Sequence, residues 1–314
     1  MLLFKENVPL ASYTNYKIGG PAKYFCEPST TGELIEAIDQ AKKINEPIFI
    51  LGGGFNLLIS DKGFNGVVIK PSVKKLEADS ENIVTVGAGV LVSEFLDFCL
   101  EHSLSGWEWA GGLPSTIGGA IWGNAGAFGG ETKDSVLEVK SYKAESGELK
   151  TRSGGQCEFN YRSSIFKSAE KNEIILEARL QLVPGNREEL EKAITEKRQY
   201  RENKQPLEYP NCGSVFKNVA VEKIPKETLE QFKGKVKQDP FPVLPTAVLT
   251  AAAGLREYRV GGAMVSPKHS NFIVNIGNAT AADVLAVMSK IKEVIKEKYG
   301  VELEQEVIFV GEAL

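Results

Sequence analysis

Glycine is concentrated in three runs of this chain, at Gly52–Gly54, Gly111–Gly130 and Gly261–Gly262, and these runs limit what it can fold into. Leu51-Gly-Gly-Gly-Phe-Asn-Leu-Leu58 follows the short apolar run Pro47-Ile-Phe-Ile-Leu51, which reads as a buried strand entering a tight loop. Without a Cβ, backbone there reaches positive φ and its N–H groups can approach an anion closely. The second run packs eight glycines into 21 residues, Ala110 to Gly130, far above the usual ~7%. An ordinary core helix is not expected there. An open backbone able to wrap a flat or anionic ligand is, with Thr116 and Asn124 offering side-chain hydrogen bonds. The first run is neither Gly-x-Gly-x-x-Gly nor a Walker loop, so on residues alone it reads as readily as a mere turn, whereas for the second a purely structural loop is the lesser reading.

The remaining composition narrows the ligand question. Apolar residues are 42% and charged residues 25%, as in globular proteins, and 314 residues allow two or three packed units. The formal charge of -4 supplies no basic field for nucleic acid or acidic lipid, so an anionic ligand must be held by local groups. Cys26, Cys99, Cys157 and Cys212 are far apart, without a Cys-x-x-Cys pair or nearby His, which implies a reducing compartment and no metal site. The N-terminus shows no leader pattern and no stretch approaches ~18 uninterrupted apolar residues. A cytoplasmic protein without membrane insertion is expected.

Along the chain, Thr30-Thr-Gly-Glu33 has capping-box spacing before apolar positions Leu34, Ile35, Ile38, Ala41 and Ile44, which predicts a helix up to Pro47. Strands are expected at Gly66–Lys70 and Ile83–Gly87, a helix over Leu91–Leu100, and mostly β structure in the next 70 residues. The charge-dominated stretch Asn186–Asn203 reads as a solvated helix, and a domain break is expected near Pro206. Thr280 caps a helix with Val284, Leu285, Met288, Ile291, Val294 and Ile295 as its apolar stripe. In a closing strand, Val301–Val310, alternation sets Glu304 and Glu306 on the face opposite Leu303, Gln305 and Val307. Trp107 and Trp109 could stack on a flavin but read as core, and Arg201, Lys204, Arg256 and Lys268 are candidates for holding a diphosphate or the NADPH phosphate but read first as solvated charges.

Seven motifs in order, Gly19-Gly-Pro-Ala22, Leu51–Leu58, the 110–130 run, Tyr161-Arg-Ser-Ser-Ile-Phe-Lys167, Cys212-Gly-Ser-Val-Phe-Lys-Asn218, Gly261-Gly-Ala-Met-Val-Ser266 and Leu303-Glu-Gln-Glu-Val307, resemble the UDP-N-acetylenolpyruvoylglucosamine reductase family. The resemblance runs from about residue 12 to 312 and is closer to the shorter of the family's two types. It implies an α+β architecture: a two-part FAD-binding fold of the vanillyl-alcohol-oxidase-like, PCMH type, plus a smaller α/β substrate-binding domain. The expected division is residues 1–75 and 76–205 for the two FAD-binding parts, 206–300 for the substrate domain, and 301–314 for a strand returning to the active site.

The resemblance also implies chemistry. Non-covalent FAD would be reduced by NADPH and would reduce UDP-N-acetylglucosamine enolpyruvate, in a protein expected to be a monomer. Ser214 matches the family's proton donor, and Arg162 and Glu306 match the pair that stabilises the enolate, with Glu304 the alternative carboxylate. The matching cofactor-binding positions are Gly52, Gly53, Gly54, Phe55, Asn56, Leu57, Pro114, Ser115, Gly118, Gly119, Asn124, Ala125 and Gly126, and the substrate-binding ones are Tyr161, Lys217 and Asn218. No metal is implied.

Three positions depart from the family pattern. Phe55 stands where a small polar residue is usual, and Ser115 and Glu257 each replace a usual glycine. A glutamate forced to positive φ at 257 costs roughly 1 kcal/mol. Two other readings compete with the reductase. An oxygen-using sugar or alcohol oxidase predicts covalent attachment of flavin to His or Cys, yet neither His102 nor His269 lies in a glycine run. A non-catalytic nucleotide-binding relative predicts loss of a catalytic position, yet Ser214 and Arg162 are present.

Overall fold

The computed structural model describes residues 3–239 and 241–312. Its backbone contacts form two compact units. The first takes the chain up to Val8, Ala22–Gly53 and Asn65–Arg201; the second takes Pro9–Pro21, Gly54–Phe64 and the chain from Glu202 on.

In the first unit, helix α1 (Thr31–Lys43) starts at the expected capping box: the Thr30 hydroxyl accepts from Glu33 N–H at 3.1 Å and the Glu33 carboxylate accepts from Thr30 N–H at 3.3 Å. Its apolar face, Leu34, Ala37, Ile38 and Ala41, packs with Val67 and Ile69 and with Tyr142 and Leu176 from further along the chain. The sheet of this part runs in the order Lys5–Pro9, Pro21–Cys26, Phe64–Ile69, Ile48–Ile50, the last pair parallel with Ile48 opposite Val67. A second, antiparallel sheet runs Glu148–Ser153, Val136–Lys143, Glu173–Gln181, Ile83–Gly87, Leu76–Ala78. Helix α2 (Val92–Glu101) buries Phe95, Leu96 and Cys99 in a second core with Trp107, Ile121 and Leu180. Trp107 and Trp109 are both buried, as read from the sequence.

The long glycine run departs from expectation, because it contains a helix, α3 (Ile117–Gly123). A Cβ on Gly118 would lie 2.9 Å from the Cβ of Ala88 and 3.0 Å from its carbonyl oxygen, so glycine lets this short helix touch neighbouring backbone. Helix α4 (Arg187–Lys204) is charged and mostly exposed, yet it buries Leu190, Ile194 and Arg201.

The second unit holds α5 (Lys226–Gln231), α6 (Thr246–Ala252) and α7 (Ala281–Tyr299), with a three-stranded sheet of Arg259–Val260, Ala263–Val265 and Ile273–Asn275. The α7 stripe buries Val284, Met288, Ile291 and Ile295, while Leu285 and Val294 pack at the margin. Tyr16, Ile18 and Leu58 join this core, so early chain segments belong to the C-terminal unit rather than to a separate 1–75 part. Among the described residues of the closing segment, only Ile308–Val310 is regular strand, parallel to Leu57–Ile59 with Ile308 opposite Leu57. Residues 301–307 contain one bridge, Phe216 to Gln305, because their neighbour is a loop rather than a strand. No helix among the described residues is long and apolar enough to cross a membrane.

Candidate functional site

In the first unit, Tyr161 and Arg162 form the tip of a tight turn closed by Asn160 and Ser163, which exchange N–H···O bonds of 3.0 Å each way. Arg162 sits at φ +55°, a left-handed conformation that costs free energy for a side-chain-bearing residue and persists where surrounding contacts impose it. Those contacts are visible. Its Nη2 donates to the Gly126 carbonyl at 3.0 Å, Lys167 Nζ donates to its carbonyl at 2.9 Å, and its guanidinium lies 5.1 Å from the Tyr161 ring centre.

Asn124 ends α3 at φ +43° and is fully buried. Its amide donates to Asn160 O at 3.1 Å and to Glu131 at 3.3 Å, and its Oδ1 accepts from Lys133 N–H at 3.1 Å. Asn124 and Gly126, two of the residues expected to line the cofactor, thus brace the turn that carries Arg162.

The two glycine runs meet in this unit, since a Cβ on Gly52 would lie 3.1 Å from the Thr116 hydroxyl. That hydroxyl accepts from Gly119 N–H, while Ile117 and Gly118 donate to Val90 O and Ala88 O. Ser115, following Pro114, donates its hydroxyl to Thr116 O. The N–H groups of Gly52 and Gly53, both half-buried, meet no protein acceptor among the described residues. A diphosphate needs such bare backbone donors, so these residues fit FAD.

From the sequence Arg201 is one of four candidate anion holders read first as a solvated charge, and its burial corrects that reading. Arg201 is 7% exposed, donates from Nε to Gly111 O at 2.9 Å and stacks 5.2 Å from the Phe128 ring centre, while its Nη2 is buried without a hydrogen-bond partner among the described residues. Burial first, and the charge of Arg162 second, push its pKa down to about 10. A buried, under-satisfied guanidinium is a ready receptor for an anion. Its sequence signal was the spacing from Leu190 and Ile194, which sets all three on the buried side of α4.

In the second unit, Ser214 follows Gly213, which is at φ +81° with its N–H on Asn211 Oδ1 at 3.0 Å. The Ser214 hydroxyl is half-exposed and has no hydrogen-bond partner among the described residues. Two antiparallel backbone bonds of 2.9 Å, Glu306 N–H to Val215 O and Lys217 N–H to Glu304 O, tie its segment to the Glu306 segment. Asn56 holds the other side of that segment, donating to Glu306 O at 3.2 Å and accepting from Ile308 N–H at 3.1 Å. Leu57 is buried in the neighbouring strand, Phe55 is half-buried, and Gly54 is at φ +71° where a Cβ would lie 2.1 Å from Tyr13 O. The two expected substrate positions here have protein partners: Lys217 is ion-paired with Glu304, and Asn218 Oδ1 accepts from Thr246 N–H at 3.3 Å.

Residues 22–152 match the family model of an FAD binding domain, and residues 205–310 match that of the UDP-N-acetylenolpyruvoylglucosamine reductase C-terminal domain. Relatives bearing that reductase name include one from Lachnoclostridium phytofermentans, 40% identical across 98% of this chain and 92% of the relative, and one from Caldanaerobacter subterraneus subsp. tengcongensis, 41% identical across 98% and 93%. The crystal structure of the Thermus caldophilus enzyme of the same name superposes with TM-score 0.77 at 29% identity, covering 99% of this chain and 100% of that one.

Proposed function

The chain belongs to the UDP-N-acetylenolpyruvoylglucosamine reductase family, and from that premise we propose that it uses NADPH to reduce UDP-N-acetylglucosamine enolpyruvate to UDP-N-acetylmuramate for peptidoglycan precursor synthesis. FAD, when bound, supplies the hydride carrier between the two substrates. Gly52, Gly53 and the α3 region hold that cofactor. The observation that supports the reading is the main-chain pairing of the segment after Ser214 with the Glu304–Glu306 segment, which sets Glu306 opposite Val215, the residue next to Ser214.

Hydride addition to one alkene carbon leaves negative charge spread into the substrate carboxylate, and the charge must be met by fixed positive or donor groups. Arg162, held by the Gly126 carbonyl and the Tyr161 ring, offers a planar, pre-oriented guanidinium for that carboxylate. The enolate's electron pair then takes the Ser214 hydroxyl proton at the second alkene carbon, and the serine alkoxide left behind is reprotonated from solvent. With no hydrogen-bond partner among the described residues, the hydroxyl is able to turn to the substrate. Glu306 assists the enol stage, and Arg201 takes an anionic group of a bound nucleotide. Tyr161, Lys217 and Asn218 contribute to substrate binding.

The test is the visible spectrum of the purified protein under anaerobic conditions, before and after NADPH and then after the enolpyruvate. Bleaching by NADPH followed by recovery with substrate is expected. Bleaching without recovery would mean a different electron acceptor, and no flavin spectrum after added FAD would overturn the reading.

A further inference from the structure

Asn271 is 3% exposed; its N–H donates to His269 Nδ1 at 3.4 Å, and its other polar groups go to the two residues after Ser214. Its main-chain carbonyl accepts from Val215 N–H at 2.9 Å. Its side chain closes a two-bond ring on the next residue, with Oδ1 accepting from Phe216 N–H at 3.2 Å and Nδ2 donating to Phe216 O at 2.8 Å. The amide therefore replaces a missing strand partner for Phe216. With Glu306 N–H on Val215 O, the two residues after Ser214 are held from both sides, while Asn211 Oδ1 holds Gly213 N–H before it. Among the described residues Ser214 itself has no bond of its own, so its direction is set by its neighbours.

We infer that Asn271 is a positioning residue that aims the Ser214 hydroxyl. The inference rests on the reading of Ser214 as proton donor. Asn271 supplies both a donor and an acceptor in a fixed plane, and no smaller or acidic side chain reproduces both. Without it, Phe216 keeps two buried backbone groups unpaired and the loop gains freedom. Displacement of a reacting group by about 1 Å costs on the order of 100-fold in rate.

The experiment compares the FAD-loaded wild type with N271A, N271D, S214A and the double variant S214A/N271A. N271D keeps the acceptor for Phe216 N–H and loses the donor to its carbonyl, so it serves as the second variant should N271A fold poorly. Rapid mixing separates reduction of the enzyme by NADPH from reoxidation by enolpyruvate. Reoxidation is expected to slow about 10- to 100-fold in N271A and N271D, with reduction by NADPH changed less than about twofold. In the S214A background the same change should cost less than about twofold, because there is no hydroxyl left to aim. Hydrogen exchange should speed up at Val215 and Phe216 while the rest of the second unit stays protected. Equal losses in both steps, additive losses in the double variant, or unchanged exchange at those amides would overturn the inference. If S214A alone leaves reoxidation unchanged, the proton-donor reading fails instead.

Discussion

The backbone N–H of Glu306 donates to the carbonyl oxygen of Val215 at 2.9 Å, so the separation between the Ser214 and Glu306 backbones is set by a main-chain hydrogen bond. Removing the Ser214 hydroxyl should leave that ladder intact. S214A is expected to keep its fold and its reduction by NADPH while losing about 100- to 10,000-fold in reoxidation by substrate, the usual worth of a general acid. Stopped-flow absorbance in the two half-reactions checks both statements.

Arg201 makes opposite demands on stability and binding. Its charge is held in a buried place with one nitrogen unpaired, so the free protein carries a cost that an anionic ligand relieves. R201M should raise the melting temperature of the ligand-free protein, by roughly 2–4 °C per kcal/mol relieved, and weaken an anionic substrate about 10- to 100-fold. The pH dependence has a definite sign. The folded-state pKa, about 10, lies below the ordinary 12.5, so between these values the unfolded chain binds more protons and stability rises with pH. The advantage of R201M in melting temperature should shrink as pH climbs past about 10.

Helices with a strong 3.6-residue pattern, α1 and α7, were readable with their caps because the information is local. Arg162, Ser214 and Glu306 were reachable only through the order of whole motifs, since an arginine, a turn serine and a terminal glutamate are ordinary residues taken singly. Two features stayed hidden for a different reason. The membership of Tyr16 and Leu58 in the core of the C-terminal unit depends on contacts far apart in sequence. Asn271 and Arg201 matter through what surrounds them, and a polar residue carries no mark of its own burial. The short α3 was missed because glycine content argued against a helix, whereas Gly118 serves close packing on Ala88.

Glu257 is at φ +61°, which bears out the strain expected where a glycine is usual, whereas Ser115 is absent from the positive-φ residues and carries none of this strain. Its side chain is exposed, so the backbone effect can be measured without disturbing packing. E257G should be more stable than E257A by about 1 kcal/mol, because alanine keeps the Cβ that disfavours this conformation. Denaturant unfolding of the two variants decides it, and equal midpoints would rule the strain out.

Glu173 is buried in the antiparallel sheet of the first unit, with Arg152 donating to both of its oxygens at 2.8 and 2.7 Å and Ser141 Oγ donating at 2.5 Å. Burial pushes its carboxyl up, but the hydrogen bonds from Arg152 and Ser141 outweigh it and hold the pKa below the ordinary 4.5. A depressed carboxylate pKa stabilises the fold above about pH 4.5, and that contribution is lost as pH falls through the folded-state value. R152A leaves the carboxylate buried without its partner and should cost about 3–5 kcal/mol at neutral pH. Thermal melts from pH 7 to 3 should show wild type losing stability on acidification and the gap to R152A narrowing.

The choice between Glu304 and Glu306 is open to a direct kinetic test. Glu304 is 61% exposed at its side chain and ion-paired with Lys217, so it acts on the charge of a substrate-binding candidate. Glu306 is half-buried, with its main-chain N–H on Val215 and its carbonyl held by Asn56. A carboxylate that stabilises the enol stage contributes only in the transition state, so E306Q should lower kcat by about 100- to 1,000-fold with little change in KM. E304Q frees the Lys217 ammonium from a solvent-screened pair and should change kcat less than about threefold, its main effect being a shift in KM that fades at high salt. Steady-state kinetics at two ionic strengths separate the cases. A large kcat loss in E304Q with none in E306Q would exchange the two roles and move the enol-stabilising carboxylate two residues toward Lys217.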